Sequence, residues 1–190
     1  MKPIRSLLVL LLSVLLLSAC SAPAPVAPTP AAESSETARP SFGSFTAPGI
    51  EEKDYTQELF ANADLTMVNI WGTFCSPCIE EMPYLGELSK EYADKGFQIV
   101  GIVVDAASRL GGYDKTVVSE AWDIIEKTGA DYIHLLPSED LINIKLNKVQ
   151  YIPETVFVDK NGGIVGEPIT GGKSKEEWKQ VIDAYLALVQ

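Results

Sequence analysis

Two kinds of apolar spacing alternate along the chain from residue 41 onward. Met67, Val68, Ile70 and Trp71 form a short continuous run, and Phe97 to Val104 a longer one. Both predict buried strands, at Thr66–Gly72 and at 97–104, the second covered on both faces. Between them Ile79, Met82, Leu85 and Leu88 recur at helical spacing and predict a helix from Ser76 to about Ala93. Pro83 falls inside it, and the missing backbone bond predicts a kink. Val117, Ala121, Ile124 and Ile125 share a stripe over 116–127, with Gly129 as the stop. Tyr132 to Leu135 reads as a short strand. Ser138-Glu139-Asp140 supplies a cap and early acids for a helix to about Lys145. Pro153 opens a strand over 154–158, Asp159-Lys160-Asn161-Gly162 has hairpin chemistry, and Ile164 to Ile169 returns. Trp178, Ile182, Tyr185 and Leu186 mark the inner face of a closing helix over 175–189. Upstream, Phe42 and Phe45 around Gly43-Ser44 suggest an edge strand. Asp54 to Asn62 suggests a short helix with Tyr55, Leu59 and Phe60 on one face. From residue 66 the order is β-α-β-α-β-α-β-β-α, an α/β domain whose mixed sheet has parallel crossovers first and an antiparallel hairpin last.

The first 40 residues carry no such pattern. Lys2 and Arg5 precede an apolar run from Leu7 to Leu17, too short for an ordinary membrane span. It ends in Leu17-Ser18-Ala19-Cys20, which resembles a bacterial lipobox. By that resemblance residues 1–19 are a lipoprotein signal peptide and Cys20 becomes a lipid-bearing N-terminus, anchored without spanning. Ser21 to Pro40 is rich in Ala, Pro, Ser, Glu and Thr and reads as a disordered tether following the lipidated cysteine, over 20–40. A coil of that length spans about 25 Å, and a polyproline segment up to about 60 Å. Residues 41–190 are then the folded domain.

Charge narrows the partners. The chain has a formal charge of −11, and residues 41–190 hold 12 basic against 24 acidic side chains. A domain this acidic does not suit nucleic acid, or anionic lipid through its own face. The chain has one histidine and three cysteines, so a four-ligand zinc site would need all of them, with His134 distant in sequence. No metal and no other cofactor is expected.

The chemistry concentrates where the first strand meets the first long helix. Cys75 and Cys78 are separated only by Ser76 and Pro77. Positions i and i+3 share a helix face, so the two sulfurs can come within bonding range. The first thiol lies at the open amides and positive end of the helix, which favours a thiolate. The second lies further in and suits the resolving role. Pro77 fits the first turn, where its missing N–H costs little.

Val68-Asn69-Ile70-Trp71-Gly72-Thr73-Phe74-Cys75-Ser76-Pro77-Cys78-Ile79-Glu80-Glu81-Met82-Pro83 resembles the active-site stretch of the TlpA/ResA-like branch of the thioredoxin superfamily, extracytoplasmic thiol–disulfide oxidoreductases. Trp71, both cysteines, Pro77, Glu81 and Pro83 fall where that branch has them. The resemblance implies a thioredoxin-like fold, a central mixed sheet flanked by helices, with 116–135 as a helix and strand inserted before the cis-proline strand. It implies a cis Ile152–Pro153 peptide facing the redox pair, Cys75 as attacking nucleophile and Cys78 as resolving thiol. It places Glu81 in the active site, where a partly buried carboxyl has a raised pKa and can move the proton of the resolving thiol. Trp71, Ser76, Pro77 and Ile152 are the positions expected to meet a substrate, Trp71 as wall rather than chemistry. Glu80 reads as surface, and His134 as a satisfied residue near a strand.

The resemblance also implies partners: a membrane thiol electron donor of the CcdA/DsbD kind, and an oxidised client such as apocytochrome c, a methionine sulfoxide reductase or another secreted protein. The expected location is the outer face of the bacterial cytoplasmic membrane, and the expected state a monomer. Direction follows from charge. Ser76-Pro77 puts no histidine between the cysteines, and Glu80 and Glu81 bring negative charge to the Cys75 thiolate. A pKa unit is about 1.4 kcal/mol and a helix terminus about 0.3–1 kcal/mol, so neighbours can outweigh the dipole. A reductant is favoured over a disulfide-donating oxidase. A thiol peroxidase wants a Pro-x-x-x-Thr-x-x-Cys stretch, which is absent. A Sco-type copper chaperone wants C-x-x-x-C, one residue longer. A solute-binding lipoprotein has no need of a helix-start cysteine pair.

Overall fold

The computed structural model describes residues 40–108 and 111–190. The signal segment, Cys20 and the tether expected over 20–40 lie outside the described residues, except for Pro40. From residue 65 the elements follow the predicted order. They are β3 (Leu65–Trp71), α1 (Ser76–Tyr92), β4 (Phe97–Val103), α2 (Lys115–Thr128), β5 (Ile133–Leu135), α3 (Glu139–Ile144), β6 (Glu154–Asp159), β7 (Ile164–Thr170) and α4 (Lys175–Leu186). They are preceded by a two-stranded hairpin, β1 (Thr46–Pro48) and β2 (Asp54–Thr56).

The five-stranded sheet runs β5-β4-β3-β6-β7. β3 is its centre, and all seven of its residues are buried. It pairs in parallel with β4, from Leu65 opposite Phe97 to Trp71 opposite Val103, and antiparallel with β6. Period-2 alternation then sorts the side chains. Val68, Ile70, Val100, Ile102, Val156 and Val158 face one layer, with Phe42, Phe45 and Phe60. Leu65, Met67 and Phe157 face the other, with Leu85 and Leu88 of α1 and Trp178 and Ile182 of α4. β5, reached through α2, extends the sheet beside β4 with Val100 opposite Ile133. Gly86 brings α1 close to the end of α2, because a Cβ there would lie 2.4 Å from the Gly129 carbonyl oxygen. Gly129 itself caps α2 at φ 68°.

Two upstream expectations are corrected. Phe42 and Phe45 are not in a strand. Gly43 turns the chain at φ 106°. The two rings pack edge-on with Phe60, centroids 5.3–6.2 Å apart, as a lid on the core. Only Ser41 makes a bridge there, to Gly163. The helix expected over 54–62 splits. Tyr55 pairs with Ala47 in the hairpin. Thr56, extended at φ −123°, then caps a 3-10 helix over Gln57–Asn62 by accepting from the Glu58 N–H.

His134 is buried on β5. Its Nδ1 accepts from Trp71 Nε1–H at 3.1 Å, and its Nε2–H donates to the Ala130 carbonyl at 2.9 Å. Gly101 leaves the room: a Cβ there would lie 2.3 Å from Nδ1. The neutral ring is thus fully satisfied, and a second ring proton would point at an indole N–H. Burial pushes the pKa down to about 4. Below the ordinary value of about 6.5 the unfolded chain takes up a proton that the folded one refuses, so stability falls as pH falls. We expect a loss of about 1.4 kcal/mol per pH unit over that window, about 3 kcal/mol in all. Chemical denaturation across pH measures it, and the slope is expected to flatten in His134→Leu.

Candidate active site

β3 delivers the chain to a tight turn at Gly72-Thr73. The turn is pinned by Asp105, which follows β4 in a 3-10 turn. The Thr73 hydroxyl donates to Asp105 Oδ2 at 2.7 Å, and the Thr73 N–H donates to the same carboxylate at 3.1–3.2 Å. Asp105 has no role in the sequence reading. Pairing of Trp71 with Val103 puts the two strand ends side by side, and register therefore makes this contact.

Cys75 is the N-cap of α1, and its Sγ accepts from the Cys78 N–H at 3.3 Å. An amide hydrogen aimed at that sulfur favours its thiolate in the reduced state. The two cysteines form a disulfide, S–S 2.04 Å and Cα–Cα 5.3 Å. Cys75 is 6% exposed and Cys78 fully buried, so Cys75 is the outer of the two sulfurs. Ser76 and Pro77 are exposed beside them, with Pro77 in the first turn as expected.

The Ile152–Pro153 peptide is cis. Ile152 is half-buried and packs on the cluster that holds both cysteines and Trp71. Gly72 lets the two sides of the site approach, since a Cβ there would lie 3.0 Å from Phe74 Cε1 and 3.3 Å from Ile152 Cδ1. Next in sequence to these residues are two side chains that the sequence reading missed. Phe74 is 72% exposed and Tyr151 71%. They line an open groove of about 550 Å³, with Val104, Leu146, Val149 and Ile152. Among the described residues, no charged side chain lines it. Lys145 and Glu154 form a largely buried ion pair that ties the groove-forming segment to the residue after Pro153.

Trp71 is corrected. It is fully buried, with its only polar atom donating to His134, so it is core beneath the site and not a surface that meets substrate. His134 has both ring nitrogens engaged by Trp71 and Ala130, which leaves no lone pair for a metal.

Glu81 is 2% exposed, while Glu80 faces solvent. Three donors hold its carboxyl. Asn69 Nδ2 of β3 reaches Oε1 at 3.0 Å. Trp178 Nε1 of α4 and the Lys173 N–H reach Oε2 at 2.9 and 3.1 Å. Burial pushes the pKa above the usual carboxyl range, against the pull of these donors and the Lys173 charge. A carboxyl on the helix of the buried thiol, with raised proton affinity, is suited to exchange a proton with it.

A parallel core, an antiparallel closing hairpin, a helix-start disulfide and a cis-proline before β6 define a thioredoxin-like domain. The family described as Redoxin matches residues 34–182, and the chain belongs to it. It is 32% identical over 117 residues to the thiol-disulfide oxidoreductase ResA of Geobacillus thermodenitrificans, which covers 62% of this chain and 60% of that protein. The ResA of Geobacillus kaustophilus matches at 31% over the same length. The matched segment thus spans under two thirds of these curated relatives. Among solved structures, a thioredoxin family thiol:disulfide interchange protein from Chlorobium tepidum superposes with a TM-score of 0.64 at 21% identity, over 78% of this chain and 97% of that one. StoA from Bacillus subtilis superposes at 0.55 and 19% identity, over 73% and 95%. These two share the fold.

Proposed function

We propose that the chain is a thiol–disulfide oxidoreductase that reduces disulfides of secreted or surface proteins, held by lipid on Cys20 at the outer face of a bacterial cytoplasmic membrane. The observation that carries this reading is the Cys75–Cys78 disulfide, closed across the first turn of α1 with Cys75 outermost. The ResA relatives support the same chemistry.

In the reduced protein the Cys75 thiolate attacks one sulfur of a client disulfide. A Cys75–client bond forms, and the client's other sulfur leaves as a thiolate that takes up a proton. Cys78 then gives its proton to the Glu81 carboxylate and attacks the Cys75 sulfur. The Cys75–Cys78 bond forms, the second client sulfur leaves, and two electrons have passed to the client. Re-reduction needs two electrons from a dithiol donor, here a membrane thiol donor of the CcdA/DsbD kind. An extended client segment fits beside Ile152, with its apolar neighbours on Phe74 and Tyr151. The family resemblance supports apocytochrome c, methionine sulfoxide reductases or other secreted proteins as clients. The apolar run ending at Leu17-Ser18-Ala19-Cys20 supports the anchor.

The test is alkylation mass analysis with palmitate labelling. Reductant is expected to expose two alkylatable thiols at Cys75 and Cys78, reversibly, and label is expected in the wild type and not in Cys20→Ala. Thiols that never re-pair would contradict the chemistry, and label that survives in Cys20→Ala would contradict the anchor.

A further inference from the structure

The two oxygens of Glu81 meet different kinds of partner. Oε2 accepts from the Trp178 indole and from the Lys173 backbone amide. Both groups can only donate. A hydroxyl hydrogen on Oε2 would face two N–H groups with no acceptor, so the proton of the acid form belongs on Oε1. There the partner is the Asn69 carboxamide, at 3.0 Å from Nδ2. A protonated Oε1 facing Nδ2 would meet the same conflict. The carboxamide differs from the other two partners because its second arm is an acceptor. That arm, Asn69 Oδ1, is buried and has no hydrogen-bond partner among the described residues, on a side chain that is fully buried. Such an orphan is costly and calls for an explanation, which a side chain that uses both arms in turn would supply.

A half turn of the amide exchanges the arms with almost no change in volume. Thr155 Oγ1, 3.3 Å from Nδ2, is compatible with either orientation. Its hydroxyl accepts from Nδ2 in one and donates to Oδ1 in the other. One arm is unpartnered in each, so the amide's own penalty nearly cancels and the state of Glu81 sets the choice.

We propose that the Asn69 carboxamide turns over each time Glu81 gains or loses its proton, donating from Nδ2 to the carboxylate and accepting at Oδ1 from the acid. Asn69 is then a positioning residue that keeps the carboxyl hydrogen-bonded in both of its states. Its use in turnover rests on the reading of Glu81 as proton carrier for Cys78, whereas the switch belongs to the folded chain itself. Among the described residues, Lys173 before α4 and Tyr132 before β5 interact electrostatically with Glu81, Tyr84 and the solvent-facing Glu80 line the same open pocket, and Cys78 lies three positions earlier on α1. In the disulfide form the cysteines do not titrate.

The experiment follows Glu81 and Asn69 together by NMR across pH, on the oxidised full chain in detergent, with Glu80→Gln to assign the carboxyl. The Asn69 side-chain protons are expected to titrate with the Glu81 midpoint and to exchange their near neighbours, Glu81 and Thr155, for the opposite side. Amide signals and contacts that stay fixed through that midpoint would overturn the proposal, as would a Glu81 that never titrates in the folded chain. A second comparison uses variants. Trp178→Phe, losing a donor-only partner, is expected to raise the proton affinity of Glu81 about tenfold or more. Asn69→Leu, losing a partner of both states, is expected to change it less than about threefold. An equal rise in both would show a fixed donor. Failure of Cys75 and Cys78 to cycle would remove the proposed function and leave this titration untouched.

Discussion

Cys78→Ser is expected to stop the reaction halfway. Cys75 still attacks a client disulfide, but no thiol remains behind it to release the product. The variant should accumulate a covalent adduct, with turnover down at least about a thousandfold. Cys75→Ser should lose turnover to the same extent and form no adduct, because the remaining thiol is fully buried. Non-reducing electrophoresis with a disulfide-bonded client, before and after added dithiol, separates the two outcomes. Adduct on Cys75→Ser and none on Cys78→Ser would reverse the assigned order. The asymmetry comes from the N-cap. Cys75 is outside the first helical turn and receives an amide hydrogen bond, whereas Cys78 is inside the turn and packed with Met82 and Trp71.

Glu81→Gln is the second large effect. The carboxylate proposed to take the Cys78 proton disappears, and the rate of client release should fall about a hundredfold. In the wild type that step needs the carboxylate, so its rate should rise with pH through the raised pKa of Glu81, and the variant should lose this limb. The stability effect has the opposite sign. The folded chain holds this proton more tightly than the unfolded chain, so the contribution of Glu81 is full below the ordinary carboxyl range and is lost as pH rises through its folded pKa. The variant should not show that loss. Single-turnover release from a preformed mixed disulfide, measured across pH alongside denaturation, tests both. An unchanged pH profile in the variant would assign the proton to another group.

The chain disclosed its core elements because each obeyed one period. β3 and β4 are short apolar runs covered on both faces, and α2 ends where Gly129 takes a left-handed conformation. The cysteine pair was legible for a local reason: a helix start fixes i and i+3 on one face. Glu81 and Pro153 were placed by resemblance, since burial of a helix glutamate depends on α4 and the Lys173 loop, which come about 90 residues later. The missed features are non-local. Asp105 reaches Thr73 only through the register of two strands. Phe74 and Tyr151 line one groove because the chain returns to Gly72 at Ile152. Trp71 misled because a tryptophan beside an active site reads as a wall, whereas strand alternation carried it inward to His134. Phe42 and Phe45 read as strand residues from their apolar character, although their spacing of three does not follow strand alternation and Gly43 turns the chain there.

Equilibrating Cys75 and Cys78 with glutathione, in a chain carrying Cys20→Ser, decides whether the pair is a reducing dithiol. Glu80 and Glu81 near the thiols, and no cation between them, predict a potential well below that of the glutathione couple. A potential near that of a strongly oxidising periplasmic disulfide would contradict the account and turn the reaction into disulfide donation.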